Sequence, residues 1–369
     1  MQVNGTPFRS IWLTPDKPEV LVIDQTLLPF VFEVRTLTSS SETAHAIREM
    51  VVRGAPLIGA TAACGLFLAA ASDASEDNLR RACEELLSSR PTAVNLRWAL
   101  DRMLPLLLEV SESERAGRAQ ELAQQICDED VNTNSAIGDH GLTLISEAAN
   151  ACPHRPVNIL THCNAGWLAT VDWGTALAPI FKAHDQGIAV HVWVDETRPR
   201  NQGASLTAWE LGAHGVSHTV IADNAGGHLM QHGEVDLCIV GSDRTTRAGD
   251  VCNKIGTYLK ALAAHDNGIP FYAALPSSTV DWTISDGVRD IPIEERAEEE
   301  VSHICGRDSE ADRLVRVRII PDGSSAANPA FDVTPRKLVD GLITERGVVK
   351  ACEDDLISLF PQDAEVRNI

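Results

Sequence analysis

The stretch "ILTHCNAGWLAT", residues 159–170, starts as an apolar β-strand and stops abruptly at a thiol, an amide and a glycine. It belongs to the first of several apolar runs after Asn150 that alternate with amphipathic segments. Such alternation is typical of a parallel sheet covered by helices on both faces. The runs are VNILTHC, IAVHVWVDET, SHTVIADNA, VDLCIVGSD, IPFYAALPSS and LVRVRIIPDG. We therefore predict a doubly wound α/β domain, with helices between the runs that end at glycines.

The first 140 or so residues have a different pattern, with helical spacing of apolar residues in most segments. The region from Val20 to Thr36 mixes β-branched and apolar residues around a proline, which indicates short strands that form a hairpin. The predicted helices are SETAHAIREMVV, PLIGATAACGLFLAAA, EDNLRRACEELLSS, VNLRWALDRMLPLLLEV and ERAGRAQELAQQICDED. We divide the chain into a mostly helical domain with a small sheet, residues 1–145, and the doubly wound domain, residues 146–369.

Composition narrows the classes of function. The 369 residues carry a formal net charge of −21, which disfavours binding to nucleic acids and to anionic membranes. The nine cysteines form no C-x-x-C pair, so we expect free thiols in a reducing compartment and neither a disulfide framework nor a zinc ribbon. The N-terminus lacks the pattern of a signal peptide, and no apolar run reaches the ~20 residues of a membrane span. A cytoplasmic protein is expected.

The carboxyl ends of parallel strands meet at one edge of a sheet, where ligands bind. Cys163 follows the first of these strands, and Asp243 follows "DLCIVGS". A thiol and a carboxyl group that converge there would form an acid–base pair. The alternatives are a small buried cysteine under a loop and an aspartate that caps a helix or pairs with Arg244.

Three further segments suggest a phosphate site. Arg53, Gly54 and Ala55 precede Pro56 at a helix start, and Arg90 stands just ahead of another helix. Asn253 and Lys254 are predicted to begin the helix NKIGTYLKALAAH, where a lysine is electrostatically misplaced unless an anion lies beside it. Residues that only begin or end helices, together with exposed basic side chains, would explain the same pattern.

Several motifs are absent from the sequence. It contains no G-x-x-x-x-G-K-[ST], no H-E-x-x-H and no G-x-G-x-x-G after the first strand of the α/β half. ATP hydrolysis, zinc proteolysis and NAD-linked hydride transfer are therefore not supported. The acidic segment at residues 293–300 is interpreted as a solvated helix or loop face.

Seven motifs in order along nearly the whole chain resemble the methylthioribose-1-phosphate isomerase family. They are RGAPLIGATAACG, SRPTAVNL, THCNAG, DETRPRNQGA, VGSDR, NKIGTY and NPAFDVTP. The resemblance implies a helical N-terminal domain with a small sheet, a Rossmann-like domain and a homodimer. It also implies a superfamily shared with ribose-1,5-bisphosphate isomerase and with regulatory subunits of a translation-initiation exchange factor.

The same resemblance assigns roles to residues. The catalytic cysteine falls on Cys163 and the catalytic aspartate on Asp243. The substrate-binding positions fall on Arg53, Gly54, Ala55, Arg90, Gln202, Asn253 and Lys254. No metal and no organic cofactor is expected, because the reaction is an internal redox change.

The implied reaction converts 5-methylthioribose 1-phosphate to the ribulose 1-phosphate in methionine salvage. The phosphate blocks the anomeric oxygen, so an acid must open the ring before hydrogen moves from C2 to C1, by an enediol route or by a hydride shift. Two alternatives stay open at this point. One is isomerisation of another pentose 1-phosphate, such as 5-deoxyribose 1-phosphate or ribose 1,5-bisphosphate, and the other is a non-catalytic regulatory subunit.

Overall fold

A seven-stranded sheet organises the second half of the chain in the computed structural model, which describes residues 1–3 and 5–365. Before it come five short strands and five helices. The strands are β1 (Gln2–Val3), β2 (Thr6–Pro7), β3 (Ile11–Leu13), β4 (Val20–Ile23) and β5 (Val34–Leu37). The helices are α1 (Ser40–Arg48), α2 (Ala55–Ser72), α3 (Glu76–Ser89), α4 (Val94–Leu108) and α5 (Glu112–Ala151).

The remaining strands begin with β6. They are β6 (Val157–Thr161), β7 (Val190–Asp195), β8 (His218–Ile221), β9 (Leu237–Val240), β10 (Arg244–Thr246), β11 (Val251–Lys254), β12 (Phe271–Ala274), β13 (Val280–Asp281), β14 (His303–Asp308), β15 (Arg313–Arg318), β16 (Phe331–Thr334), β17 (Gly341–Thr344) and β18 (Gly347–Val349). The helices between and after them are α6 (Ala178–Asp185), α7 (Ala208–His214), α8 (Ala225–Gln231), α9 (Thr257–Asn267), α10 (Gly287–Asp290), α11 (Glu299–Ser302), α12 (Glu353–Leu359) and α13 (Pro361–Glu365).

The large sheet has the order β18-β17-β12-β9-β6-β7-β8, and all of its neighbouring strands are parallel except β18. Numbered along the chain, its six parallel strands follow the Rossmann order 3-2-1-4-5-6. The order reverses between β6 and β9, which are hydrogen-bonded neighbours. The predicted α/β class with a doubly wound parallel sheet is confirmed.

Both faces of this sheet are buried. Within β6, Ile159 packs into one cluster of buried apolar residues and Leu160 packs into another on the opposite face. Successive side chains of a strand point to opposite faces, so a continuous apolar run is what a central strand requires.

One predicted sheet strand is wrong. The run LVRVRIIPDG contributes β15, which pairs in antiparallel register with β14 as a separate two-stranded ribbon. Its arginines alternate with apolar residues, and a strand buried on both faces of the large sheet could not accommodate them. The sheet position is taken by β17, whose side chains are buried.

The helical part of the chain has its own cluster of buried residues around α2, including Leu57, Leu66 and Ile126. Helix α2 is the one described helix long and apolar enough to cross a membrane, and 83% of it is buried in the protein. Helix α5 supplies Ile126 to this cluster and Ile145 to a cluster against the large sheet. It therefore crosses residue 145, and the division of the chain there stays a prediction.

The small sheets complete the fold. Strands β3, β4 and β5 form an antiparallel sheet, and the β4–β5 pair is the hairpin expected between Val20 and Thr36. Strands β13, β10, β11 and β16 form a second small sheet beside the carboxyl end of β9.

Candidate active site

The reversal of strand order brings Cys163 and Asp243 to neighbouring strand ends. Cys163 lies two residues after the end of β6, and Asp243 lies three residues after the end of β9. In open parallel sheets the crevice at such a reversal is where ligands bind. The fold thus places the predicted acid–base pair at the expected position.

Cys163 has a strained backbone that its neighbours hold in place. Its φ of 65° lies in the left-handed region, which is uncommon for residues other than glycine. Its N–H donates to Thr197 Oγ1 at 2.8 Å, and its carbonyl accepts from Thr207 Oγ1 at 2.7 Å. These bonds fix the direction in which the nearly buried side chain leaves the chain.

The two predicted acids share the cations Arg53 and Lys254 as charged neighbours. Burial raises the pKa of the Cys163 thiol; Arg53 and Lys254 lower it, and Asp243 raises it. Burial also raises the pKa of the Asp243 carboxyl against the opposing effect of Arg53, Arg90 and Lys254. Both groups are therefore biased toward the protonated form that a general acid needs.

The segment from Arg53 to Ala55 lies between α1 and α2. Gly54 has φ of 97°, and a Cβ on it would lie 2.4 Å from the carbonyl oxygen of Ala169, so only glycine fits. Ala55 is the first residue of α2, where backbone N–H groups lack helical partners and attract anions. The nearly buried Arg53 donates to both the side-chain and the backbone oxygen of Asn164.

Asn253 and Lys254 do not begin a helix, contrary to the prediction. They end β11, and α9 begins at Thr257. The Asn253 amide donates to Thr257 Oγ1 at 2.9 Å. Lys254 is only 4% exposed, and its ammonium has no hydrogen-bond partner among the described residues. Burial lowers the pKa of Lys254, and an anionic ligand would satisfy it.

Arg90 follows α3, and its Nη2 lies 2.9 Å from Glu294 Oε2. Its Nε is buried without a partner among residues 1–3 and 5–365. Glu294 belongs to the acidic segment 293–300, where Arg296 and Glu300 are also half-buried and ion-paired. Five of the eight residues of that segment are exposed, as expected for a solvated face, while Glu294 and Glu300 pair with Arg90 and Arg200.

Two cavities adjoin these residues. The larger, of about 500 Å³, is lined by Arg53 and Gln202 and by the β14–β15 ribbon, and Gln202 Oε1 is buried without a partner in the described part of the chain. The smaller, of about 30 Å³, is lined by Ala55, Arg90 and Asp243. Within the described structure Cys163 lines neither cavity, and the same holds for Gly54, Asn253 and Lys254.

One group of residues could by geometry hold a metal ion in the described structure, namely His162, Asp195 and Asp223. The Lys260 ammonium already lies 3.1 Å from Asp195 Oδ2 and donates to the Asp223 carbonyl. Because a buried cation neutralises this group, the donor set does not favour a metal. The absence of a metal requirement stays a prediction.

Comparison with known proteins identifies the family to which this chain belongs. The model of the Initiation factor 2 subunit family matches residues 51–351. A methylthioribose-1-phosphate isomerase of Methylorubrum extorquens is 64% identical over 362 residues, which are 98% of this chain and 99% of the relative. The chain belongs to the methylthioribose-1-phosphate isomerase family.

Solved structures agree with this membership. The crystal structure of 5-methylthioribose 1-phosphate isomerase from Pyrococcus horikoshii aligns with a TM-score of 0.81 and 42% identity, covering 96% of each chain. A structure described as the delta subunit of translation initiation factor eIF-2B from A. fulgidus aligns with a TM-score of 0.79 and 40% identity, over 96% of this chain and 100% of that chain. The resemblance inferred from the motifs is confirmed, while the roles of the individual family residues stay predictions.

Sequence reasoning missed two acidic residues of the site. Glu210 lies fully buried behind Asn164, and Glu294 pairs with Arg90. Glu210 stands four residues after Leu206 on the buried side of its helical segment, and a charge at such an apolar position was a usable signal. No local sequence pattern indicates a role for Glu294, because its partner Arg90 lies 204 positions away in the sequence.

Proposed function

We propose that this protein isomerises 5-methylthioribose 1-phosphate to 5-methylthioribulose 1-phosphate, using Asp243 and Cys163. The observation that carries the proposal is the position of these two acids at the reversal of strand order, within the electrostatic influence of Arg53 and Lys254. The non-catalytic alternative gives no reason for a strained, buried thiol beside a carboxyl group biased toward protonation.

The phosphate is assigned to the cationic side of the site. Arg53, Arg90 and Lys254 supply positive charge, and the backbone at Gly54 and Ala55 supplies the N-terminus of α2. The Nε of Arg90, buried without a partner in the described structure, and the near-complete burial of Lys254 support this assignment. Gln202 is assigned to a sugar hydroxyl or the phosphate through its amide.

The chemistry follows from the blocked anomeric oxygen. Protonation of the ring oxygen O4 by Asp243 breaks the C1–O4 bond and leaves C1 electron-poor. Hydrogen then moves from C2 to C1 while the C2 hydroxyl gives its proton to the Asp243 carboxylate left by the first step, so the proton gained at O4 is balanced by the one lost at O2. Cys163 is the partner that stabilises this change, and pre-positioned acids of this kind contribute typically ~10²–10⁴-fold.

The larger cavity supports a methylthio group at C5. Its apolar lining includes Leu28, Phe30, Met50, Leu206, Ile304, Leu314 and Val315. Its basic residues other than the phosphate ligand Arg53 already have partners: Arg200 is paired with Glu300 at 2.9 Å, Arg316 donates to the backbone carbonyl of Glu299, and His303 shares a hydrogen bond with Ser302. A second phosphate would need an uncommitted basic cluster, whereas a thioether needs apolar contact.

The test compares three substrates with the purified full-length protein. Ketose formation is measured from methylthioribose 1-phosphate, 5-deoxyribose 1-phosphate and ribose 1,5-bisphosphate, and kcat/KM is compared. We expect the methylthio compound to have the highest value. A higher value for the bisphosphate would assign the protein to that substrate, and no turnover with any of the three would support the regulatory alternative.

We also propose that the protein is a cytoplasmic homodimer that acts in methionine salvage. Tyr258, Leu259 and Leu262 on α9 are at least 37% exposed, and an apolar helix face of this kind favours burial against a second copy. Light scattering coupled to gel filtration measures the mass, for which we expect twice the 39.9 kDa of one chain.

A further inference from the structure

Glu210 is a fully buried carboxylate that has no place in the proposed chemistry. It lies on α7, and three N–H groups point at its two oxygens. Trp167 N–H donates to Oε2 at 2.8 Å, Leu168 N–H donates to Oε1 at 3.1 Å, and Asn164 Nδ2 donates to Oε1 at 2.9 Å. All three donors belong to the loop after β6 that also carries Cys163.

The approach of Glu210 to this loop depends on Gly166. A Cβ at Gly166 would lie 1.8 Å from Glu210 Oε2, closer than any non-bonded contact allows. The glycine in the THCNAG motif therefore makes room for the carboxylate. It does so with φ of −89°, a value open to any residue, so contact with Glu210 and not backbone strain accounts for it.

The carboxylate also fixes which way the Asn164 amide faces. Oε1 of Glu210 accepts from the Leu168 N–H, and Thr207 uses its hydroxyl proton on the Cys163 carbonyl. Both groups can therefore only accept from Asn164 Nδ2, which lies 3.1 Å from Thr207 Oγ1. The amide oxygen must point to the opposite side, where it accepts from Arg53 Nη1.

Arg53 is thereby held at two points by Asn164. Nη1 donates to the side-chain oxygen, and Nη2 donates to the backbone carbonyl at 2.8 Å. If the amide were reversed, its NH₂ group would face the guanidinium donors. The order of contacts runs from Glu210 through Asn164 to Arg53.

We propose that Glu210 is a positioning residue that orients Asn164 and through it presents the Arg53 guanidinium to the substrate phosphate. This inference rests on the proposed function for the identity of the substrate. It does not depend on that function for the binding of an anion by Arg53.

The test is a double-mutant cycle between Glu210→Gln and Arg53→Ala in the full-length protein. A glutamine places an NH₂ group against the loop donors or against Asn164, so Arg53 loses its fixed acceptor. We expect KM for methylthioribose 1-phosphate and Kd for inorganic phosphate, measured by calorimetry, to rise at least about tenfold with kcat changed much less. In the Arg53→Ala background the same Glu210→Gln change should have no further effect on either constant.

A control variant tests for a general effect of losing an ion-paired carboxylate. Glu129 forms a two-point ion pair with Arg102 and contacts none of the proposed phosphate ligands, and Glu129→Gln should leave KM and the phosphate Kd unchanged. If Glu210→Gln does not fold, Asn164→Ala, which removes the middle of the contact series, is taken through the same cycle.

The outcomes are distinguishable. An unchanged phosphate Kd in Glu210→Gln, or effects that add to those of Arg53→Ala, would overturn the proposal. A fall in kcat alone would do the same, since it would assign Glu210 to the chemical step. If the wild type turns over none of the sugar phosphates, the proposed function fails, and the phosphate calorimetry still decides the role of Glu210.

Discussion

Nη2 of Arg90 lies 2.9 Å from Oε2 of Glu294, so a residue assigned to bind phosphate is already paired with a carboxylate. The pair is largely buried, with exposed side-chain fractions of 10% and 19%. A phosphate that binds Arg90 has to compete with this carboxylate.

Removal of the competing charge should strengthen phosphate binding. We expect Glu294→Gln to lower the Kd for inorganic phosphate about threefold or more, because the Arg90 guanidinium no longer has to leave a carboxylate in order to bind phosphate. In an Arg90→Ala background, which should itself raise KM, the effect of Glu294→Gln should disappear. Glu310→Gln, the same charge change at an exposed position, is the control, and an equal effect there would refute the pairing argument.

The pH dependence should show an acid that loses its proton at high pH. Burial raises the pKa of Asp243 and the charge of Glu294 raises it further, whereas a general acid works only while protonated. We expect kcat/KM, corrected for titration of the substrate phosphate with its second pKa of about 6, to fall as pH rises through the raised pKa of Asp243. Glu294→Gln should move this fall to lower pH. A rate that rises steadily to pH 10 would contradict the assignment.

The two acids should be essential for turnover. Cys163→Ser and Asp243→Asn are each expected to lower kcat at least ~10²-fold, the lower range of acid–base contributions. Cys163→Ser should keep phosphate affinity within about twofold, because the proposed phosphate ligands are untouched. Cys352→Ser, a change at a partly exposed cysteine that lines neither cavity, serves as the control for thiol loss. Near-normal turnover in either variant would remove that residue from the mechanism.

The ribbon that lines the larger cavity should influence the choice of C5 substituent. Leu314 lines the cavity, whereas Val317 on the same strand does not, and both are nearly half exposed. We expect Leu314→Asn to raise KM for the methylthio substrate several-fold, because contact with one or two apolar groups is worth ~1–2 kcal/mol. The 5-deoxy substrate should be affected less. An equal effect of Val317→Asn would show that the cavity wall is not the cause.

Gly54 should tolerate no side chain. Gly54→Ala combines a positive φ with a contact of 2.4 Å to backbone, so we expect a loss of more than about 2 kcal/mol in the free energy of unfolding. Gly117 in α5 has open space around it, and Gly117→Ala should instead stabilise the protein by ~0.5–1 kcal/mol. Urea denaturation measures both, and equal effects would contradict the steric argument.

Local pattern predicted much of this molecule. The continuous apolar runs identified five strands of the parallel sheet, and the polar residues at their ends included Cys163 and Asp243. The sequence pattern wrongly predicts a helix at Lys254, because β11 is only four residues long and is defined by pairing with β10 and β16. Such long-range pairing leaves little trace in local spacing. Glu294 is a second case, since its role depends on a partner distant in the sequence.

The β14–β15 ribbon bonds its two strands to each other and lies apart from the seven-stranded sheet, yet it forms one wall of the larger cavity. Its sequence can therefore diverge without disturbing the strand ends that carry the thiol, the carboxyl group and the cations. Substitutions confined to this ribbon would therefore change the preferred substituent at the fifth carbon of the sugar, while the residues that carry out the reaction stay the same.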